Sequence, residues 1–309
     1  MVDLINSPPL NLSLSKVYLI EELKIRNWKV YSYYPKSAFL RLIRPDNKII
    51  ELYGMTPPST TFPDGYRSDD KYSTYILLKE NGIPSPETFL VDSLTEAQEC
   101  LTSYTGKNKS ALVVKPMDSS HGNGVTINIS TKEHLALAWD NAIHYSNYVL
   151  LQEQINNCKD IRVTIVDYKA VGVVIREPAS VDGDGEHTLA ELIKIENAKQ
   201  DRGENYSKLK NKINESNAQA FLGKDIIFVP PQGEKVRAIF DAMTIAPQWL
   251  LELAEKVSKI CNLPVCGVDI LMNNISNDCT EVETNPKIIE INKSPALFLS
   301  DMVSVKGQN

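Results

Sequence analysis

A lysine followed by a small glycine-containing loop is the first feature of this sequence that suggests chemistry. The apolar run Val113-Val114 ends in Lys115, and the residues from Ser119 to Gly124 follow, with glycines at 122 and 124. Glycine lets the backbone approach an anion closely and adopt a positive φ, so that successive N–H groups can point at phosphate oxygens. Lys115 adds a positive charge beside them. The loop predicts a polyphosphate site, although the same residues are also typical of an ordinary hairpin turn.

Two later segments each place an acidic residue within an apolar run. Asp269 lies in Gly267 to Leu271, and Glu290 and Asn292 lie in Ile288 to Pro295. Residues two apart in a strand share a face, so Glu290 and Asn292 are expected on the same side. Mg²⁺ prefers hard oxygen ligands and is often held by one or two carboxylates together with substrate phosphates. The three side chains predict such a site, whereas each taken alone is also typical of an amphipathic strand with a solvent-facing polar residue.

Composition limits the classes of protein that need be considered. The chain has 309 residues, of which 42% are hydrophobic and 23% charged, which is enough for two or three lobes. A net charge of -6 argues against general nucleic-acid binding. No apolar run is long enough to cross a membrane and no signal-peptide pattern opens the sequence, so we expect a cytoplasmic protein. The five cysteines contain no Cys-x-x-Cys pair and predict neither a disulfide framework nor a zinc site.

The first part of the chain predicts a small subdomain and a linker. Residues 1–14 lack periodicity and are expected to be a mobile or irregular lead-in. Residues 15–53 show a short amphipathic helix, a strand and a hairpin. Pro63 to Gly65 is expected to break regular structure, and Ser68 or Asp69 to cap a helix that ends near Asn81.

Beyond that helix, short strands and helices alternate. Mostly antiparallel neighbours indicate an α+β arrangement. The glycine loop is expected between two strands of a second lobe, and the two acid-bearing strands close a third. The predicted boundaries are a short N-terminal subdomain over 1–66, a central lobe over 67–151 and a C-terminal lobe with the metal site over 152–309.

Taken in order, these motifs resemble the ATP-grasp ligases, and especially the ATP-grasp module of cyanophycin synthetase and of the fused glutathione synthetases. The resemblance covers about residues 66 to 300, and it rests on Asp70-Lys71, Gly82 to Pro86, Val113 to Val125, Leu151 to Val163 and Arg176 to Ile193. It implies an ATP-grasp fold, in which two α+β lobes grip ATP behind a short N-terminal subdomain.

The resemblance also implies a role for individual residues. Contacts with the ATP phosphates are implied for Lys71, Lys115, Ser119, Ser120, His121, Gly122 and Gly124. Backbone contacts with adenine are implied for Glu153, Gln154 and Asn156, and contacts with the ribose hydroxyls for Asp160. The transferring phosphoryl group would face Arg162 and Arg176. Mg²⁺ or Mn²⁺ would be held by Asp269, Glu290 and Asn292.

The activity implied is ATP-dependent carboxylate–amine ligation through an acyl phosphate, on an amino acid or peptide. A homodimer or homotetramer is implied as well. Full cyanophycin synthesis is not expected, since the sequence has no Gly-x-x-x-x-Gly-Lys-Ser/Thr loop. Residues 240–245 lead straight to a predicted helix where the family usually has a Gly- and Ser-rich substrate loop, so the acceptor stays open. Two alternatives also stay open: a glutathione-synthetase-like or peptide-tailoring ligase with a different carboxylate, and a catalytically inactive nucleotide-binding regulator.

Overall fold

The chain forms two compact units, neither of which is continuous in sequence. The computed structural model describes residues 1–6, 12–106, 111–119, 123–178, 180–182, 187, 189–198, 226–228 and 236–295. Described residues within Met1–Phe89, Glu153–Ile175 and Phe240–Asn309 form the first unit, and those within Leu90–Gln152 and Arg176–Ile239 form the second. The division into three consecutive regions at residues 66 and 151 stays a prediction.

The first unit begins with a four-stranded antiparallel sheet covered on one face by a helix. The helix, α1, is Leu14–Ile25, and the strands in sheet order are β1 Val2–Asp3, β2 Lys29–Ser32, β3 Phe39–Ile43 and β4 Ile49–Tyr53. Alternate residues of β3 point to the helix, as the period of a strand requires. The small core between helix and sheet contains Leu4, Ile20, Leu23, Val30, Leu40 and Leu42.

The start of the chain is more ordered than its sequence predicts. β1 pairs with β2, and the N–H of Leu4 donates to the carbonyl of Val30 at 2.9 Å. Leu4 is buried in the small core. The expectation of an irregular lead-in is therefore wrong for residues 2–4, because a two-residue strand is too short to show a period. Residues 7–11 lie outside the described part of the chain.

The expected linker contains a helix. Residues Phe62–Asp69 form α2, which includes Pro63 to Gly65. The helix begins because the side chain of Thr61 accepts the N–H of Asp64. Proline is tolerated in this first turn, since its missing N–H would have no helical partner. The prediction of a break at Pro63 to Gly65 is thus wrong.

The next helix, α3, is Lys71–Glu80, and Asp70 caps it rather than Ser68 or Asp69. The Asp70 carboxylate accepts the N–H groups of Tyr72 and Ser73 at 3.0 and 2.9 Å. This cap fixes Lys71 as the first residue of the helix.

The second unit is built on a four-stranded sheet with two helices. In sheet order the strands are β5 Thr88–Val91, β8 Val149–Glu153, β6 Leu112–Pro116 and β7 Thr126–Ile129. Helix α5, Lys132–Ile143, lies against β6, and α4, Leu94–Thr105, lies against α5. The glycine loop joins β6 to β7, as the sequence predicts.

The main sheet of the first unit carries most of the predicted site. Its strands in order are β13 Val236–Asp241, β10 Lys169–Pro178, β9 Lys159–Val166, β14 Val265–Met272 and β15 Lys287–Asn292, and β10 and β13 continue along the chain into the second unit. β14 runs antiparallel to both β9 and β15. Helix α7, Gln248–Ile260, packs on β9 and β14. One face of the sheet therefore belongs to a core that includes Ile161, Val163, Val268, Ile270 and Ile291.

Four further elements complete the described chain. β11 Ser180–Asp182 pairs antiparallel with β12 Ile226–Phe228, α6 is Leu189–Ala198, and α8 is Glu281–Thr284. The mixture of helices and antiparallel sheets confirms the predicted α+β class. Within the described ranges no helix is long and apolar enough to span a membrane.

Candidate functional site

Three neighbouring strands bring Arg162, Asp269 and Glu290 into one row. Asp269 on β14 lies opposite Arg162 on β9 and opposite Glu290 on β15. Directly opposed residues of an antiparallel pair point to the same face. Because Val268 and Ile291 fill the core on the other face, the charged row lies on the face away from that core. This confirms the expected alternation along both acid-bearing strands.

A two-point ion pair joins Arg162 to Asp269. The Nε of Arg162 lies 2.6 Å from Oδ1 of Asp269, and its Nη2 lies 2.7 Å from Oδ2. Both side chains are buried. Parallel contacts between a planar guanidinium and a carboxylate are among the strongest hydrogen bonds in proteins.

Gly267 makes room for this pair. A Cβ atom at Gly267 would lie 3.4 Å from both Cδ and Nε of Arg162, and 3.4 Å from the ring of Pro295. The arginine stem therefore packs across the glycine on β14, where an added Cβ would be in van der Waals contact with it. The sequence contains this glycine, but without the strand pairing it carries no sign of that purpose.

Glu290 and Asn292 extend the same cluster. Asn292 donates from Nδ2 to Oδ2 of Asp269 at 3.1 Å. Glu290 faces Lys71, whose Nζ lies 3.8 Å from its Oε1. The Lys71 side chain is only 14% exposed and that of Glu290 is 35% exposed. All three predicted metal ligands thus lie together in one unit. Beside them are Lys71, predicted to contact the ATP phosphates, and Arg162, predicted to face the transferring phosphoryl group.

The oxygen donors of the cluster fit Mg²⁺ or Mn²⁺. Two carboxylates and one amide are hard ligands of the kind these cations take, with phosphates or water supplying the remaining positions. Nowhere in the described chain do three or more His, Cys, Asp or Glu residues form a group able to hold a metal. The predicted site is instead the mixed set of two carboxylates and one amide, Asp269, Glu290 and Asn292.

The end of β15 is anchored to the segment before α3. The Nζ of Lys293 donates to the carbonyl of Gly65 at 3.1 Å and to the carboxylate of Asp69. The hydroxyl of Ser294 accepts the N–H of Met55 at 3.0 Å. Sequence reasoning missed these contacts, which hold the strand next to Asn292 in place.

The predicted adenine segment is also anchored to its surroundings. The N–H of Glu153 donates to the carbonyl of Glu87 at 2.8 Å, and the Glu153 carboxylate accepts the N–H of Glu87 at 3.1 Å. The N–H of Glu153 and one oxygen of its carboxylate are therefore already engaged with Glu87. Gln154 donates from Nε2 to Oδ1 of Asn156 at 2.8 Å. Asp160 lies on β9, on the same face as Arg162.

The thiol next to Asp160 is a poor nucleophile. Burial raises the pKa of Cys158, and the charge of Asp160 raises that pKa further. The thiol therefore stays protonated near neutral pH, and the thiolate is the reactive form.

In the second unit, Lys115 is held by a residue that sequence reasoning did not select. Its Nζ donates to Oε1 of Gln152 at 2.9 Å. Gln152 is buried on β8, beside β6. In the sequence, Gln152 is recognisable only as a polar residue within the apolar run that ends at Glu153. Such a residue can have many other structural roles, so the pattern does not predict a contact with Lys115.

Gly124 closes the glycine loop in a conformation that glycine favours. Its φ is +73°, and a Cβ atom there would lie 2.6 Å from Cγ of Pro116 and 2.8 Å from the ring of Tyr145. The hydroxyl of Ser119 donates to the carbonyl of Asn123 at 2.9 Å. The remaining predicted loop residues, Ser120, His121 and Gly122, lie outside the described part of the chain.

Arg176 is the second predicted catalytic arginine. It lies on β10 in the second unit and is half-buried. Of the predicted phosphate-binding, catalytic and metal-binding residues, the first unit thus brings together Lys71, Arg162, Asp269, Glu290 and Asn292. The second contains Lys115, Ser119, Gly124 and Arg176. The roles of all these residues toward a ligand stay predictions.

The fold is that of the ATP-grasp proteins. The structure is similar to that of a bifunctional glutathione synthetase from Pasteurella multocida, with a TM-score of 0.60 and 22% sequence identity over 92% of this chain and 41% of that one. The chain belongs to the family of RimK-like ATP-grasp domains, whose profile matches residues 68–229. The predicted family resemblance and the predicted fold are both confirmed.

Curated relatives share part of their length with this chain. A cyanophycin synthetase from Trichormus variabilis is 32% identical over 244 residues, which are 73% of this chain and 26% of that protein. The glutathione biosynthesis bifunctional protein GshAB from Clostridium perfringens is 27% identical over 259 residues, which are 78% of this chain and 32% of that protein. The chain therefore spans about a quarter to a third of the curated relatives it matches.

Proposed function

We propose that this protein is an ATP-dependent ligase that joins a carboxylate to an amine through an acyl phosphate. Membership of the RimK-like ATP-grasp family supports the class of reaction. The observation that carries the proposal is the row of Arg162, Asp269 and Glu290 with Asn292 beside it, because phosphoryl transfer needs oxygen ligands for a cation next to permanent positive charges.

In this reaction a carboxylate oxygen of the substrate attacks the γ-phosphorus of ATP, and the bond from that phosphorus to its bridging oxygen breaks, releasing ADP. An amine nitrogen then attacks the acyl carbon, and phosphate leaves with the electrons of the broken C–O bond while the nitrogen loses a proton. Mg²⁺ or Mn²⁺ bound to Asp269, Glu290 and Asn292 would neutralise phosphate charge. The protein would supply proximity and electrostatic stabilisation rather than a covalent nucleophile.

Named side chains would perform the binding steps. Arg162 and Lys71 would turn their donors to phosphate oxygens, and Arg176 would stabilise the charge of the transferring group. Lys115, oriented by Gln152, would hold a further phosphate oxygen. For the remaining contacts we assign adenine to the backbone of Glu153, Gln154 and Asn156, ribose to Asp160, and phosphate to the loop residues Ser119, Ser120, His121, Gly122 and Gly124.

Amino acids or peptides are the substrates we propose. The names of the relatives, cyanophycin synthetase and a glutathione biosynthesis protein, support this class. A glutathione-synthetase-like carboxylate is the alternative within the same chemistry. All five cysteines are free, which suits a reducing compartment, and we place the reaction in the cytoplasm. The homodimer or homotetramer stays a prediction that sedimentation can check.

The test is ADP release from Mg-ATP with pooled amino acids and short acidic peptides. Wild-type protein is compared with Glu290→Gln, and with Glu281→Gln as a control that removes one exposed carboxylate from α8 in the same unit. We expect release that requires a pool and that is lost in Glu290→Gln alone. ATP binding by calorimetry without release in any pool would overturn the ligase and favour a nucleotide-binding regulator.

A further inference from the structure

We propose that Lys71 and Arg162 stay paired with the metal-binding carboxylates of Glu290 and Asp269 until a nucleotide arrives. The divalent cation is then bound together with the nucleotide and not before it. The inference rests on the proposed function, because it concerns the same cluster. It adds an order of binding and assigns to the two cations a role in the empty site as well as in the loaded one.

Arg162 occupies both oxygens of the Asp269 carboxylate, the first of the two. Both of its contacts with Asp269 are short, at 2.6 and 2.7 Å, and they use both carboxylate oxygens. Asn292 makes a third contact with Oδ2. A cation approaching Asp269 must therefore displace donors that already neutralise it, and the buried position makes that displacement costly.

Lys71 lies beside the second carboxylate, that of Glu290. Its Nζ lies 3.8 Å from Glu290, and its backbone is fixed by the Asp70 cap at the start of α3. Helix α3 lies against β15. The Lys71 ammonium therefore lies beside Glu290 at the start of this helix and balances its charge without a metal.

The charges explain why a nucleotide would open the cluster. Asp269 and Glu290 are balanced by Arg162 and Lys71, so these four side chains sum to zero. The adjacent pair of Lys293 and Asp69 is also neutral. A divalent cation alone would have to compete with Arg162 and Lys71 for the two carboxylates, and it would leave both of their positive charges without compensation. A polyphosphate removes this conflict, because Lys71 and Arg162 can donate to its oxygens while the carboxylates turn to the cation.

The first measurement titrates Mn²⁺ alone into the full-length protein, with free Mn²⁺ followed by electron paramagnetic resonance. A parallel calorimetric titration uses the non-hydrolysable ATP analogue adenylyl imidodiphosphate with Mn²⁺. We expect wild-type protein to bind the Mn²⁺–nucleotide complex at least tenfold more tightly than Mn²⁺ alone. Equal affinities would overturn the inference while leaving the proposed function standing, whereas a protein that binds no nucleotide would remove the proposed function itself.

The second measurement repeats both titrations with Lys71→Met. Removing the ammonium frees Glu290 and takes a donor from the phosphates, so the two affinities should change in opposite directions. We expect Mn²⁺ alone to bind about tenfold more tightly and the Mn²⁺–nucleotide complex about tenfold more weakly. A lysine that only stabilised the fold would not shift the two affinities in opposite directions. Unchanged or weaker binding of Mn²⁺ alone would overturn the inference.

Three further variants control this result. Lys79→Met removes an exposed lysine from the same helix and should leave both affinities at the wild-type value. Lys71→Arg keeps the charge and should keep Mn²⁺ alone weak. Lys71→Gln is a second neutral variant, to be used in place of Lys71→Met if that protein fails to fold by circular dichroism.

Discussion

Arg162 and Asp269 lie directly opposite each other on neighbouring antiparallel strands and are joined by two hydrogen bonds of 2.6 and 2.7 Å. Both side chains are almost completely buried. Because both charges have lost their water, each depends on the other for compensation. The pair is therefore part of the stability of the first unit as well as a candidate part of its chemistry.

Removing one partner of this pair should be costly. Arg162→Met removes the positive charge that faces the buried Asp269 carboxylate while the Asn292 contact remains, and we expect the free energy of unfolding to fall by about 3–5 kcal/mol. Urea denaturation followed by circular dichroism measures this loss. The double variant Arg162→Met/Asp269→Leu should recover most of it, because it removes both charges. A double variant as unstable as the single one would show that packing rather than charge explains the loss.

Gln152 should tune nucleotide binding through Lys115. Gln152→Leu removes the acceptor that orients the ammonium, and we expect the affinity for ATP in calorimetry to fall about tenfold. In a double-mutant cycle with Lys115→Met, the two losses should be coupled by about 0.5–3 kcal/mol, since the residues are in contact. Gln98→Leu on α4 is the matched control and should leave ATP binding unchanged. Additive losses would mean that Gln152 does not act through Lys115.

Two glycines with similar backbone angles should tolerate alanine differently. Gly82 has a φ of +67° and no atom within 4 Å of an added Cβ, so Gly82→Ala should cost about 1–2 kcal/mol from backbone strain alone. Gly124→Ala carries the same strain and also a clash with Pro116 at 2.6 Å, so it should cost about 1–3 kcal/mol more. Urea denaturation of both variants gives the comparison. Equal costs would contradict the packing described for the loop.

The first unit should lose stability in alkaline solution through two buried thiols. Burial raises the pKa of Cys261 and of Cys266 to about 12 from the ordinary thiol value of 9.0. A folded-state pKa above the unfolded one favours folding below pH 9, and this contribution is lost as the pH rises from 9 towards 12. Each thiol should lower the free energy of unfolding by about 1.4 kcal/mol for each pH unit in that range.

The measurement compares urea denaturation at about pH 8 and about pH 10 for wild type and for Cys261→Ala/Cys266→Ala. The cavities left by the substitutions lower stability at both pH values, so only the change with pH is informative. We expect the variant to lose about 2–3 kcal/mol less than wild type between the two. Equal losses would show that the thiols ionise in the folded protein as they do in the unfolded chain.

The sequence was sufficient for much of the fold because the relevant signals are local. The hairpin of β3 and β4 follows from alternating residues around a Pro-Asp-Asn-Lys turn, and the acid-bearing strands follow from single polar residues in apolar runs. The order of motifs indicated the ATP-grasp family, which the family match confirms. The errors at residues 2–4 and at Pro63 to Gly65 concern a strand too short for a period and a proline that a first helical turn accepts. A third error is the cap of the next helix, which is Asp70, one residue after the predicted Asp69.

Local sequence is enough to predict which residue types lie on which face of each element, because strand and helix periods depend on neighbours along the chain. Which residues contact each other across neighbouring elements became visible in the folded protein alone. Arg162 meets Asp269 from 107 positions away, and Lys115 meets Gln152 from 37 positions away. Such partners are chosen by strand register and sheet order, which depend on the packing of the whole unit and leave no local mark in the sequence.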